Sequence, residues 1–196
     1  GFISQIDKMV GEAVAKWQRQ RIDEGHRPVP ISINISRADI FTMDVTEYLK
    51  SLLEKYGLPI ELLEVEITES AFVEETGKIE DELKNLKEAG FTVLMDDFGS
   101  GDSSLNTLKD LAIDILKIDM KFLRMDITNI NKGVSILESI VNMARSLHLP
   151  TIIEGVETDE QVKFLTEMGC VYAQGFHFYR PMTVGDFEAL IGDESN

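Results

Sequence analysis

The sequence predicts an α/β fold: a parallel sheet of the (β/α)8 barrel type, with about six of the eight βα units present. Three observations carry this. Short β-branched runs alternate with amphipathic helical stretches along the 196 residues, the order that right-handed βαβ units and a parallel sheet produce. Six such units can be counted, whereas a closed barrel takes eight strands in about 250 residues. Each strand also ends in one or more polar residues, at the end where barrels and open α/β sheets carry their sites.

The elements follow in order. Ile3, Ile6, Val10, Val14 and Trp17 recur at helical spacing and predict an opening helix. Pro30 to Ile35 reads as a strand. Val45 to Tyr56 reads as a helix with Leu49, Leu52 and Leu53 on its apolar face, ended by Gly57-Leu-Pro59. Leu63 to Ile67 is a strand; Ile79, Leu83 and Leu86 mark a helix closed by Gly90. Phe91 to Met95 is a strand and Leu105 to Leu111 a short helix. Ile113 to Ile118 is a strand, and Val134, Leu137, Ile140, Val141 and Ala144 mark a long helix that stops before Pro150. Thr151 to Glu154 is a strand and Asp159 to Met168 a helix. Val171 to Ala173 is the last strand and Val184 to Ile191 the last helix. No low-complexity linker divides the chain, so residues 1–196 read as one domain.

Composition narrows the function classes. The chain is 43% hydrophobic and 28% charged, ordinary for a globular domain. Lys and Arg number 19 against 35 Asp and Glu, a formal charge of −16. Such a surface repels polyanions and argues against a nucleic-acid groove. It still admits a small anionic ligand, because a bound metal inverts the local sign. A single cysteine, Cys170, leaves no intrachain disulfide and reads as a buried small hydrophobe in a reducing compartment. No apolar run is long enough to span a bilayer. The chain starts at Gly1 without methionine, which predicts a piece of a longer protein.

The polar residues at the strand ends are Asn34; Glu66 and Glu69; Asp96 and Asp97; Lys117 and Asp119; Glu154 and Glu157; and Gln174. One such residue is ordinarily a helix cap or a satisfied core group. Six consecutive strands ending this way predict a convergent ring. Two adjacent carboxylates repel unless something cationic lies beside them, and hard divalent cations take oxygen ligands. The chemistry that suits the ring is metal-assisted hydrolysis of a phosphate ester. An enolase-like site, which also joins Mg²⁺ carboxylates to a lysine on a barrel, is the competing reading. A lysine in such a ring can hold a water, deprotonate it, or neutralise a phosphate. His26, His148 and His177 have no zinc spacing, and no Gly-x-Gly-x-x-Gly or Gly-Lys-Ser/Thr phosphate loop occurs.

Jointly, six segments resemble one family. They are Ser32-Ile-Asn-Ile-Ser36, Glu66-Ile-Thr-Glu69-Ser70, the run from Asp96 to Leu105, Leu116-Lys-Ile-Asp119, Glu154-Gly-Val-Glu-Thr158, and Gln174-Gly-Phe176 with Pro181. They look like EAL domains, the cyclic-di-GMP phosphodiesterases of bacterial second-messenger signalling. The resemblance runs from about Gly1 to Pro181 and implies a modified (β/α)8 barrel. It implies Asn34, Glu66 and Asp96 as metal ligands, with Asp97 at a second metal or its bridging water. Glu154 is then a further ligand or acid/base partner, Lys117 positions or activates the water, and Gln174 bonds near the attacked phosphate. Glu69 holds the loop after Asp97, with Asp119 and Glu157 in support. The implied cofactor is Mg²⁺ or Mn²⁺, two per complete site, and the implied product is linear pGpG. The implied partners are cyclic-di-GMP, a second copy in a homodimer, and a GGDEF or sensory domain elsewhere in the parent chain. The domain is expected in the cytoplasm, with a parent that can be membrane-tethered.

Two departures stand out. Ser100 and Asp102 replace the family's usual threonine and tyrosine in the loop after Asp97. The strand bearing the Glu-Ala-Leu signature, with an arginine for the ligand phosphate, is expected upstream of Gly1. The alternative to an active enzyme is therefore a catalytically inactive receptor or interaction scaffold, and residues 1–196 alone are expected to be inactive.

Overall fold

The structure, a computed structural model, describes residues 2–72, 76–99, 112–120 and 130–192. The short helix expected over Leu105 to Leu111, and positions Ser100 and Asp102, lie outside the described residues.

Helix α1 (Phe2–Asp23) opens the chain and leads into strand β1 (Ile31–Asn34). Helices α2 (Arg37–Thr42) and α3 (Val45–Tyr56) precede β2 (Leu63–Thr68). Helix α4 (Thr76–Ala89) leads to β3 (Thr92–Phe98), and β4 (Ile115–Asp119) is followed by α5 (Ile130–Ser146). Strand β5 (Thr151–Glu154), α6 (Asp159–Glu167), β6 (Tyr172–Gln174) and α7 (Val184–Ile191) complete the order. The six strands form one all-parallel sheet in chain order, β1 to β6. It curls as part of a (β/α)8 barrel, as the βα count predicted.

Local chemistry sets the helix limits. Asp44 caps α3 by accepting the Glu47 N–H at 2.9 Å, and Gly57 ends it at φ 58°, a left-handed turn that glycine adopts without strain. The α6 start is a capping box between Thr158 and Gln161. Helix α2 was not expected from the sequence. Six residues are too short for a periodic signal, but Ser36 and Asp39 form a reciprocal capping box that starts it.

Strand alternation divides two environments. Leu63, Val65 and Ile67 on β2 are fully buried, as are Val93, Leu116, Ile118 and Ile153 on the following strands. They pack with Leu49, Ile79, Leu83 and Leu86 of the helices in one core cluster. Burying each such side chain contributes about 1.5–3 kcal/mol. The alternate residues, Glu64 and Glu66 among them, face the other way, into the lumen. The sheet is therefore apolar toward its helices, and toward its axis it carries the polar residues at its carboxyl end.

The helical layer meets across the first and last elements. Trp17 on α1 donates its indole N–H to Glu188 on α7 at 2.7 Å, and its ring lies 6.0 Å from that of Phe187. Glu188 begins the tripeptide Glu188-Ala189-Leu190. These letters match the family signature, but here they form the end of a helix rather than a strand. The sheet itself keeps two edges among the described residues, β1 and β6.

Candidate active site

The carboxyl ends of the strands carry the site. Register alone places Asn34 opposite Glu66, Asp119 opposite Glu154, and Glu154 opposite Gln174. The expected ring residues of β1, β2, β4, β5 and β6 thus share one end of the sheet.

Lys117 is the hub. Its side chain is buried, and Nζ lies 3.1 Å from Glu66 Oε2, 3.1 Å from Asp96 Oδ1 and 2.8 Å from Glu154 Oε1. One ammonium thus donates to carboxylates from three strands. Burial works against its charge, but the bond to Glu154 and the charges of Glu66, Glu154 and Asp96 outweigh burial and hold its pKa above the ordinary lysine value. Burial pushes Glu154 up to about 7, with the Asp96 charge adding to the shift and Lys117 opposing it.

The adjacent pair Asp96-Asp97 depends on a backbone irregularity. In a regular strand consecutive side chains point to opposite faces. Strand β3 continues past Met95, the end expected from the sequence, to Phe98, and its register with β4 shifts between Met95 and Phe98. Asp97 has a left-handed φ of 57°, and its N–H donates to Asp96 Oδ1 at 2.9 Å. The bulge brings both carboxylates to one side. Oxygens of Asp96, Asp97 and Glu154 lie within 4.8 Å of one another, a spacing that suits a shared cation.

Supporting residues surround these. Glu69, 2% exposed, accepts the Gly99 N–H at 2.9 Å and so ties down the start of the segment after Asp97. Ser32 Oγ donates to Glu66 Oε1 at 2.6 Å, a contact that no sequence pattern signals. Gly175 lets β6 approach β5: a Cβ there would stand 2.1 Å from the Val156 carbonyl oxygen. This approach places the Gln174 carbonyl to accept the Val156 N–H at 3.1 Å. Asp119 is buried at the end of β4, while Glu157 is exposed and its backbone N–H donates to Gln161 in the cap of α6. Asn34 and Gln174 are exposed at the rim.

An α/β barrel sheet with a lysine-centred acidic ring at its carboxyl end defines the class: a barrel protein built for a polar, cation-dependent ligand. The chain belongs to the EAL domain family, whose sequence pattern matches residues 1–181. It is 39% identical over 191 residues to the signaling protein YkoW of Bacillus subtilis, covering 97% of this chain and 24% of that protein. It is 34% identical to the cyclic di-GMP phosphodiesterase NbdA of Pseudomonas aeruginosa, again covering 97% of this chain and 24% of that protein. The chain therefore spans about a quarter of the length of these curated relatives. A solved structure described as the PaMucR phosphodiesterase in complex with c-di-GMP superposes with a TM-score of 0.87 at 32% identity, over 96% of this chain and 76% of that one. The EAL domain of Mycobacterium smegmatis DcpA superposes at 0.81 with 30% identity, over 91% of this chain and 80% of that one.

Proposed function

We propose that the protein carrying this chain is a metal-dependent phosphodiesterase that opens cyclic-di-GMP to linear pGpG. The ring of Glu66, Asp96 and Glu154 around Lys117 carries the reading. The names of NbdA and of the PaMucR complex support the substrate.

The donor set fits Mg²⁺ or Mn²⁺: hard oxygen ligands from Asn34, Glu66, Asp96, Asp97 and Glu154, enough for two ions. Such ions, when bound, supply charge stabilisation and a more acidic water. The side chains do the rest. Lys117, whose Nζ contacts Glu66, Asp96 and Glu154, would hydrogen-bond a phosphoryl oxygen or the attacking water once a bound ion drew one of those carboxylates away; as an ammonium it has no lone pair to act as a base. Gln174, beside Glu154 in register, presents an amide at the rim where the phosphate would enter. Glu69 keeps the backbone after Asp97 in place. Attack forms a bond from the water oxygen to phosphorus and breaks the bond to a 3′ oxygen, which leaves with a proton.

On this reading the domain is a bacterial nucleotide-signalling module that works in the cytoplasm. Among the described residues no helix is long and apolar enough to cross a membrane. A diguanylate cyclase (GGDEF) partner domain is supported by the name of the relative MucR of Pseudomonas aeruginosa, described as bifunctional. Sedimentation of the full-length protein tests the homodimer that family membership implies.

The test is incubation of the full-length protein with cyclic-di-GMP and Mn²⁺, followed by chromatography. Appearance of pGpG, abolished by a chelator, is expected. Saturable binding of cyclic-di-GMP with no pGpG would overturn hydrolysis in favour of a receptor.

A further inference from the structure

The Ser32 hydroxyl points into the lumen beside the acidic ring. It lies on β1 two residues before Asn34, so alternation turns both to the same face. Its direct register partner on β2 is Glu64, yet its Oγ reaches diagonally to Glu66 Oε1 at 2.6 Å. Lys117 takes the other oxygen, Oε2, at 3.1 Å. Both oxygens of Glu66 are thus held by separate donors, and the residue is 8% exposed.

The surroundings make that restraint consequential. Glu64 sits two residues earlier on the same strand face, half-buried, and the Glu66 charge adds to the burial that disfavours its ionised form. Like-charge repulsion pushes the two carboxylates apart. A metal that displaced the Lys117 contact would leave the Ser32 bond to set the plane of the Glu66 carboxylate. Metal-ligating carboxylates are ordinarily fixed by such outer hydrogen bonds, and losing one typically weakens metal binding about 10–100-fold.

We propose that Ser32 is a positioning residue for the metal centre: its hydroxyl fixes the Glu66 carboxylate in the orientation that binds the ion. This rests on Glu66 being a metal ligand. The experiment measures Mn²⁺ binding to the full-length protein without substrate, by electron paramagnetic resonance of free Mn²⁺, in wild type, Ser32→Ala, Ser32→Thr and Glu66→Gln. Ser32→Ala should weaken binding about 10–100-fold, and Ser32→Thr, which keeps the hydroxyl, should restore most of it. If Glu66→Gln binds Mn²⁺ like wild type, the metal-ligand reading itself fails. If Glu66→Gln weakens binding while Ser32→Ala does not, the positioning role alone is overturned. A loss in Ser32→Ala that Ser32→Thr fails to restore overturns it too, because packing rather than the hydroxyl would then be responsible.

Discussion

Replacing Asp7 by asparagine should stabilise the protein near neutral pH and flatten part of its acid-side stability profile. Asp39, on α2, is completely buried. Its Oδ2 accepts the Ser36 N–H at 2.9 Å. The half-buried Asp7 carboxyl of α1 lies beside the Asp39 carboxylate. Burial, the hydrogen bond to Asp39 and the Asp39 charge push Asp7 from 3.8 up to about 6. Asp39 is held below its ordinary value: burial raises it, but its bonds to Ser36, Ser4 and Asp7 prevail. Below about pH 6 the pair therefore shares one proton, carried by Asp7. Because the folded-state pKa of Asp7 is raised, its contribution is fully present below about pH 4. It is lost as pH rises through about 6. The difference between 3.8 and about 6 sets a ceiling of about 3 kcal/mol. Asp7 is only partly buried, so solvent screening reduces this to about 1 kcal/mol. An asparagine NH₂ would donate to the Asp39 carboxylate at every pH. Thermal melts from pH 4 to 8 should show Asp7→Asn above wild type by about 2–4 °C at pH 8, the two converging near pH 4. Subtracting the curves cancels the titration of groups common to both proteins, Glu154 among them. Parallel curves, or a less stable variant at pH 8, would refute the shared-proton contact.

Three further outcomes follow. Asp96→Asn should cost more than about 100-fold in turnover, beyond the loss from disturbing a supporting partner alone; unchanged activity in the pGpG assay would reject Asp96 as a ligand. Gly175→Ala forces a Cβ to 2.1 Å from the Val156 carbonyl oxygen, so β6 must shift. It should lose about 1–3 kcal/mol in denaturant melts together with activity, through Gln174. Glu82 accepts from Thr46 N at 2.8 Å and Thr46 Oγ1 at 2.7 Å in a buried setting. Glu82→Ala strands both donors and should cost about 2 kcal/mol by denaturant melts, with turnover kept.

Much of this architecture was legible because it rests on short-range chemistry. The ranges Val45–Tyr56, Thr151–Glu154 and Val184–Ile191 follow from periodicity and from the residues that stop them. The ring was legible because buried parallel strands are otherwise near-continuous apolar runs, so a polar residue at the end of each one is conspicuous. What the sequence hid depends on three dimensions. The bulge at Asp96-Asp97 is a register shift between strands, so β3 was read three residues short. Ser32 gave no signal, since a serine in a strand is ordinary until its oxygen is found beside Glu66. The proton-sharing of Asp7 and Asp39 joins α1 to α2 between residues that no local pattern links. Glu188-Ala189-Leu190 shows the converse: the letters of a signature carry no meaning away from the strand that positions them.

Whether this acidic ring binds divalent metal beside cyclic-di-GMP is tested most directly by a crystal structure of the full-length protein soaked with Mn²⁺ and the dinucleotide. The predicted result is anomalous Mn²⁺ density in contact with Glu66, Asp96, Asp97 and Glu154, with a phosphate of the ligand within hydrogen-bond reach of Lys117. Anomalous density elsewhere, or a dinucleotide bound away from Lys117 with the ring carboxylates still paired to it, would contradict the assignment.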